Sequence, residues 1–232
     1  MYSITEVFAT LQGEGFHAGT PAVFVRFAAC NLWSGHAPDR QRDAERHGAL
    51  CPRFCDTDFL PRARLSAEAL AERANQAAQA AGLTHVPLVV FTGGEPLLQL
   101  DGPLCAAVQA ALTRPGHPPP RLAIETNGSV PLADDLRRRL WVCVSPKLPP
   151  ARLALRGGDE LKVVYPSYDP ESYRQALDPF QHYFVSPEAS AALAQIGSSR
   201  LSRDAMQAAA AYCLHHPAWR LSIQAHKVAD IP

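Results

Sequence analysis

PLVVFTGGEP, residues 87–96, decides the fold. Its opening half is nearly all apolar and shows no alternation of apolar and polar positions. A strand with one face in water alternates, whereas an unbroken apolar run suits a strand covered on both faces of a parallel sheet. Gly93-Gly94-Glu95-Pro96 then breaks the run. Upstream, Ser66 is a cap candidate for an alanine-rich helix reaching Ala81, with Gly82 as its stop.

Working outward, the pattern repeats. A helix near 100–113 leads to a strand over Arg121–Glu125, and a short helix near 132–139 leads to a strand over Leu140–Val144. A strand over Glu160–Tyr165 carries Lys162 inside it, and helical residues near 170–177 precede a strand over His182–Val185. A helix over Ser202–His215, ended by Pro217, leads to a strand over Trp219–Gln224. On the N-terminal side, residues 2–9 form a short apolar segment and Pro21–Ala28 a compact apolar strand. Strands alternating with helices indicate crossover units and a parallel sheet or barrel. The count is short of eight strands, so the expectation is an α/β fold: an incomplete TIM-like barrel of about six parallel strands with flanking helices. An open doubly wound sheet would show nearly the same string.

At 232 residues, with no stretch resembling a linker, the chain reads as a single domain over 1–232. Lys plus Arg and Asp plus Glu balance at 22 each, so no basic field advertises nucleic acid as a partner. The N-terminus lacks a signal pattern and no window approaches the length of a membrane span, which leads to the expectation of a cytoplasmic enzyme without a membrane partner. Reduced thiols fit that compartment better than a disulfide framework.

Polar or glycine-rich groups recur where the strands end: Cys30, Thr92 to Pro96, Glu125 to Gly128, Ser145 to Lys147, Ser186 to Glu188 and Gln224 to Lys227. In a parallel barrel those ends share one rim, and sites are built on it. Arg26, inside an apolar strand, needs either a salt-bridge partner or a carboxylate-bearing ligand. Leu11-Gln12-Gly13-Glu14-Gly15 is either a tight turn or a loop that offers amides to a ligand.

The loop over 30–58 holds three of the six cysteines, Cys30, Cys51 and Cys55, while Cys105, Cys143 and Cys213 are scattered in apolar runs. Thiolates are soft ligands that select zinc, copper(I) and iron–sulfur clusters. Zinc would need a fourth ligand such as His36 or His47, giving a zinc-stabilised binding module. An iron–sulfur protein without radical chemistry is a further alternative. Asp56-Thr57-Asp58 sets hard oxygens beside the sulfurs, so a magnesium ion could sit near the soft site, or the aspartates could simply accept turn hydrogen bonds.

Seven segments together carry a resemblance: LQGEG at 11–15, FVRFAACNLW at 24–33, FCDTDF at 54–59, FTGGEP at 91–96, ETNG at 125–128, SPK at 145–147 and the tail Gln224–Pro232. The chain resembles the radical S-adenosylmethionine enzymes and, within them, the 7-carboxy-7-deazaguanine synthases of the queuosine pathway. The resemblance implies that Cys30, Cys51 and Cys55 hold a [4Fe-4S] cluster whose open iron chelates the methionine group of S-adenosylmethionine. It implies that Gly93, Gly94 and Glu95 meet that methionyl part and that Ser145, Pro146 and Lys147 contact the rest. Leu11, Gln12, Gly13, Glu14, Arg26 and Thr92 would fix a pterin substrate, with His226 and the carboxylate of Pro232 as further contacts, and Thr57 would bind Mg2+. The implied reaction is a radical ring contraction of 6-carboxy-5,6,7,8-tetrahydropterin with loss of ammonia. The family further implies a homodimer and, as electron donor, flavodoxin or a similar reductase. The cysteine spacing departs from the common radical-enzyme pattern: twenty residues separate Cys30 from Cys51 and three separate Cys51 from Cys55. His47 is the fallback ligand.

Overall fold

A computed structural model describes residues 1–188 and 202–232. Its strands are β1 (Tyr2–Leu11), β2 (Pro21–Phe27), β3 (Ala63–Leu65), β4 (Leu88–Gly93), β5 (Arg121–Thr126), β6 (Leu140–Val144), β7 (Glu160–Tyr165), β8 (His182–Pro187) and β9 (Arg220–Leu221). Its helices are α1 (Arg40–His47), α2 (Ala67–Ala80), α3 (Gly102–Leu112), α4 (Asp134–Arg137), α5 (Pro170–Ala176), α6 (Arg203–His215) and α7 (Ala225–Ala229). The strands form one sheet in the order β3-β1-β2-β4-β5-β6-β7-β8-β9. From β2 through β9 every neighbour is parallel, and β1 runs antiparallel to both β2 and β3.

The expected partial barrel is thus present, with six parallel strands of five residues or more and a two-residue β9. Two features differ from expectation. The apolar segment near the N-terminus is a ten-residue strand that extends the sheet antiparallel and is bordered by the unanticipated β3. The last strand, expected over Trp219–Gln224, is only Arg220–Leu221. Its continuation leaves the ladder because the tail bonds elsewhere: the amide of Ala225 donates to Gly13 O (3.0 Å) and the amide of Gly15 donates to Ser222 Oγ (2.9 Å). The glycine loop and the tail therefore meet across the side that no strand closes.

The unbroken apolar runs are explained by two buried faces. Val23, Val25, Val89, Phe91, Ile124 and Val142 face the helices with Leu70, Leu104 and Val108 of α2 and α3. Ala22, Phe24, Leu88, Val90 and Ala123 face the lumen with Phe8 and Trp141. Each fully buried large apolar side chain contributes about 1.5–3 kcal/mol, so both faces hold the sheet. The helices start where small polar side chains cap them: Ser66 Oγ accepts from Ala69 N (3.2 Å), Asp101 Oδ1 from Leu104 N (2.9 Å) and Ser202 Oγ from Ala205 N (3.3 Å).

Register orders the lumen into layers. Phe24, Val90, Ala123 and Trp141 stand side by side across β2, β4, β5 and β6. Two residues further along the strands the layer turns polar: Arg26 is beside Thr92, and Glu125, Cys143 and Glu160 are in line across β5, β6 and β7. An apolar floor under a polar rim is the arrangement on which barrel sites are built.

Candidate active site

Two adjoining cavities occupy the rim. One, of about 220 Å³, is walled by Cys30, Cys51, Cys55, Gly93, Gly94, Ser145 and Lys147. The other, of about 380 Å³, is walled by Leu11, Gln12, Gly13, Arg26, His226 and Pro232. Glu14, Asp56, Thr57, Thr92, Glu125 and Gln224 border both. Of the residues singled out in the sequence, Glu14, Thr57 and Thr92 therefore border both cavities, while Glu95 and Pro146 line neither.

Cys30 leaves β2 after Ala29, whose φ of 73° is unusual for a side chain other than glycine. The turn is held against the end of β4, where Gly94 N donates to Phe27 O (3.3 Å) and Glu95 N to Ala29 O (2.9 Å). A Cβ at Gly93 would lie 2.2 Å from Phe27 O and one at Gly94 2.0 Å from Ala29 O. Both glycines are therefore required by this backbone approach, which brings Cys30 to the cavity wall.

The gap between Cys51 and Cys55 is absorbed by a helical turn. Cys55 N donates to Cys51 O (2.8 Å) and Phe54 N to the same carbonyl (3.1 Å). Residues four apart on such a turn share a face, so the extra residue leaves both sulfurs on the cavity side. Arg40, at the start of α1, donates to Pro52 O (2.6 Å) and Cys55 O (2.9 Å). Its guanidinium also lies 4.2 Å from the Trp33 ring centroid. The polar insert thus forms a helix that braces the cysteine turn. Burial pushes the Cys30 thiol up to about 11, the Cys51 thiol up to about 12 and the Cys55 thiol upward, so without metal these sulfurs are protonated at neutral pH.

Glu95 has no exposed surface and stands behind the glycine wall. Its carboxylate accepts from Leu97 N (3.0 Å), Thr126 Oγ1 (2.8 Å) and Asn127 N (2.8 Å), tying the ends of β4 and β5 together. Burial raises its pKa against those hydrogen bonds. Lys147 Nζ donates to Ser145 Oγ (2.7 Å), and burial lowers its pKa. The Ser145-Pro146-Lys147 loop is fastened from α5 and its approach: Tyr168 Oη donates to Lys147 O (3.1 Å) and Tyr173 Oη to Leu148 O (2.9 Å). Pro146 is buried and shapes the loop without lining either cavity.

In the larger cavity, Arg26 Nε pairs with Glu6 Oε1 at 2.6 Å, which leaves its terminal nitrogens as further donors. His226 is pulled down by burial and is a neutral imidazole near pH 7. It packs so tightly on Gly13 that a Cβ there would lie 2.3 Å from its Nδ1. Of the two acidic neighbours of Thr57, Asp56 is paired with Lys227 of the tail and Asp58 with Arg62 (2.6 Å), and the Thr57 hydroxyl sits beside the Cys55 thiol where both cavities meet.

Three further residues carry this wall: Glu125 and Gln224, which border both cavities and which the sequence placed on the rim without a role, and Lys162, which lines the thiol cavity. Lys162 Nζ contacts Glu14 Oε2 (2.5 Å) and Glu125 Oε1 (3.5 Å). Gln224 Nε2 donates to Glu14 Oε1 (2.8 Å). Gln12 Nε2 (3.3 Å) and Thr92 Oγ1 (2.9 Å) donate to Glu125. The signal available in sequence was a charge inside an apolar strand, which needs a buried partner.

Among the described residues no group of three His, Cys, Asp or Glu side chains is close enough to hold one metal ion. The three sulfurs instead share a cavity wall, and a cluster of several irons, each taking one thiolate, fits that spread of soft donors. His36 and His47 do not line this cavity. An unclosed parallel barrel bearing three thiols and a glycine wall at its rim fits the class that the sequence motifs resemble, the radical S-adenosylmethionine enzymes. No family model matches the chain. It is 44% identical to the 7-carboxy-7-deazaguanine synthase of Bordetella pertussis, covering 100% of this chain and 99% of that protein. It is 42% identical to the synthase of that name from Burkholderia multivorans, with the same coverage. The chain belongs to the 7-carboxy-7-deazaguanine synthase family. The crystal structure of QueE from Escherichia coli shares the fold, with a TM-score of 0.61 at 23% identity over 97% of this chain and 94% of that one.

Proposed function

We propose that the chain converts 6-carboxy-5,6,7,8-tetrahydropterin into 7-carboxy-7-deazaguanine with loss of ammonia, within queuosine-type biosynthesis. The observation that carries this reading is the common wall: a thiol-lined cavity opens beside a cavity lined by Arg26, His226 and Pro232, with Glu14, Thr92 and Glu125 between them. Cys30, Cys51 and Cys55 would hold the [4Fe-4S] cluster. Gly93 and Gly94 would face the methionyl part of S-adenosylmethionine, with Glu95 fixing their backbone from behind, while Ser145 and Lys147 would meet the rest and buried Pro146 sets their loop. When bound, the cluster and S-adenosylmethionine supply a carbon-centred radical that takes hydrogen from the substrate.

The chain's own residues bind, orient and exclude water. Trp33, Phe54 and Phe59 line the thiol cavity and keep it apolar on one side. Arg26, with its terminal nitrogens free of Glu6, offers a planar fork to the substrate carboxylate. Leu11, Gln12, Gly13 and Glu14 form the wall opposite, and neutral His226 and the Pro232 carboxylate supply acceptors from the tail. Magnesium would be held by Thr57 together with the substrate carboxylate and water, a ligand set suited to an ion that keeps much of its hydration; it would supply positive charge beside that carboxylate.

The same reading takes the protein to be a single-domain cytoplasmic homodimer reduced by flavodoxin or a similar reductase, with no nucleic acid or membrane as partner. All six cysteines are free, which supports a reducing compartment. Among the described residues no helix is long and apolar enough to cross a membrane.

The test is anaerobic reconstitution with iron and sulfide, followed by incubation with a reductant, S-adenosylmethionine and the carboxylated tetrahydropterin. Mass detection is expected to find 5'-deoxyadenosine and 7-carboxy-7-deazaguanine, the latter increased by magnesium. A brown, fully loaded protein that yields neither compound would sink the assignment.

A further inference from the structure

Lys162 rises from the middle of β7 into the lumen with its side chain only 7% exposed. Every charged group that it meets is on a different support. Glu14 comes from the loop after β1, Glu125 from β5 and Glu160 from β7 itself; the nearby Cys143 of β6 is a thiol that burial keeps uncharged, and Lys147 of the loop after β6 is a more distant cation that faces the same space. His226 of the tail adds a neutral ring on the Glu14 side. Glu14 and Glu125 both contact the one ammonium and both border the two cavities.

We propose that Lys162 is a positioning residue for substrate binding: its ammonium holds Glu14 and Glu125 as a fixed pair of ionised acceptors at the wall shared by the two cavities. The inference rests on reading the second cavity as the substrate site. Two carboxylates close together in a water-poor lumen do not both stay ionised unless a cation lies between them; otherwise they share a proton and one turns from acceptor to donor. The amides of Gln12 and Gln224 and the hydroxyl of Thr92 orient the carboxylates but carry no charge, so the cation falls to Lys162. Burial on its own would raise Glu14, yet the charge and hydrogen bond of Lys162 bring it down to about 2. Burial would equally lower Lys162, but Glu125 and Glu14 keep it well above its ordinary value.

The experiment compares Lys162→Met and Lys162→Arg with the wild-type holoenzyme. Lys162→Met is expected to raise KM for the carboxylated tetrahydropterin about tenfold or more. Its kcat/KM should rise with pH through neutrality as the shared proton leaves, while the wild-type profile stays flat there. Lys162→Arg keeps the charge and is expected to restore most of KM. The visible spectrum of the cluster should be unchanged in both, because Lys162 bonds to Glu14 and Glu125 and not to Cys30, Cys51 or Cys55. A second arm uses substrate-free protein: an infrared titration of carboxyl groups, in which the difference between wild type and Glu14→Gln isolates Glu14. Glu14 is expected to stay ionised above its ordinary value of 4.5. The proposal is overturned if Lys162→Met leaves KM and the pH profile within about twofold of wild type, or if Glu14 is protonated above that value. The infrared arm needs no turnover, so it decides about Lys162 even where the assay for the proposed reaction fails or Lys162→Met does not fold.

Discussion

Cys30 stands on a turn after β2 and Cys51 and Cys55 on the helical turn that follows residues 34–50, whereas Glu125 and Lys162 rise directly from β5 and β7. The sulfur donors are held by backbone contacts and by Arg40, and as bare thiols they are uncharged. Of the lumen carboxylates, Glu125 is held on β5 and Glu14 on the loop after β1, and the Lys162 ammonium already pairs with both. The difference teaches which half of the site is preorganised. The carboxylate wall is complete in the folded chain, because its partners are all protein groups. The sulfur wall has donors that must lose protons to bind metal, so iron binding and local order are coupled there.

The largest expected effect tests whether the sulfur wall is a single unit. Cys30→Ala, Cys51→Ala and Cys55→Ala are each expected to abolish iron–sulfur absorbance after anaerobic reconstitution and to reduce product to below detection. Cys105→Ala, on the buried face of α3, is expected to retain iron content and turnover within about twofold, since its thiol is a buried apolar group. If any of the three rim variants kept a full complement of iron, that sulfur would not be a ligand and the wall would not act as a single unit.

The contrast also governs what could be read from sequence. Strands with two apolar faces, such as Leu88–Gly93, declare a parallel sheet because their pattern follows from burial on both sides. Rim residues could be placed because parallel strands end on one rim. The ten-residue β1 was harder, since its partly buried residues carry neither an unbroken apolar run nor clean alternation. The shortened β9 depends on bonds between the tail and the loop at Gly13, a separation of more than two hundred residues that local pattern does not encode. Lys162 was visible as a charge in an apolar strand, but its partners Glu14 and Glu125 are fixed only by how the strands and the loop converge. The role of the insert over 34–50 was hidden for the same reason, because Arg40 acts on carbonyls of a later turn.

A smaller effect should separate the two walls from the substrate side. In Gly13→Ala the new methyl would lie 2.3 Å from His226 Nδ1 and 3.0 Å from the His226 amide nitrogen. A rotamer change of His226 does not relieve the second contact, so the tail carrying His226 and Pro232 must shift. Overpacking of this kind typically costs about 1–3 kcal/mol, and KM for the pterin is expected to rise about tenfold, corresponding to about 1.4 kcal/mol. Iron content and the cluster spectrum are expected to match wild type. Loss of iron in this variant would show that the walls are coupled through Asp56 and Lys227, the pair that joins the cysteine loop to the tail.

The smallest expected effect probes the sulfur wall without touching a sulfur. Arg40→Met removes the two donors to Pro52 O and Cys55 O and the cation over Trp33, while keeping most of the side chain's apolar length. Hydrogen bonds from a charged donor are worth about 1.5–3 kcal/mol, and the metal, once bound, replaces much of this restraint on the turn. Turnover of freshly reconstituted protein should therefore stay within about threefold of wild type, with KM for the pterin unchanged. The apo protein should respond more strongly: amide exchange over residues 51–56 is expected to quicken about tenfold, and a chelator should strip iron from the holoprotein several-fold faster. Arg40→Lys should not restore either rate, because a single ammonium cannot span two carbonyls and stack on an indole as a planar fork does. Should exchange and iron loss in Arg40→Met equal those of wild type, the cysteine turn is ordered by its own backbone bonds, and the two walls are alike in being preorganised.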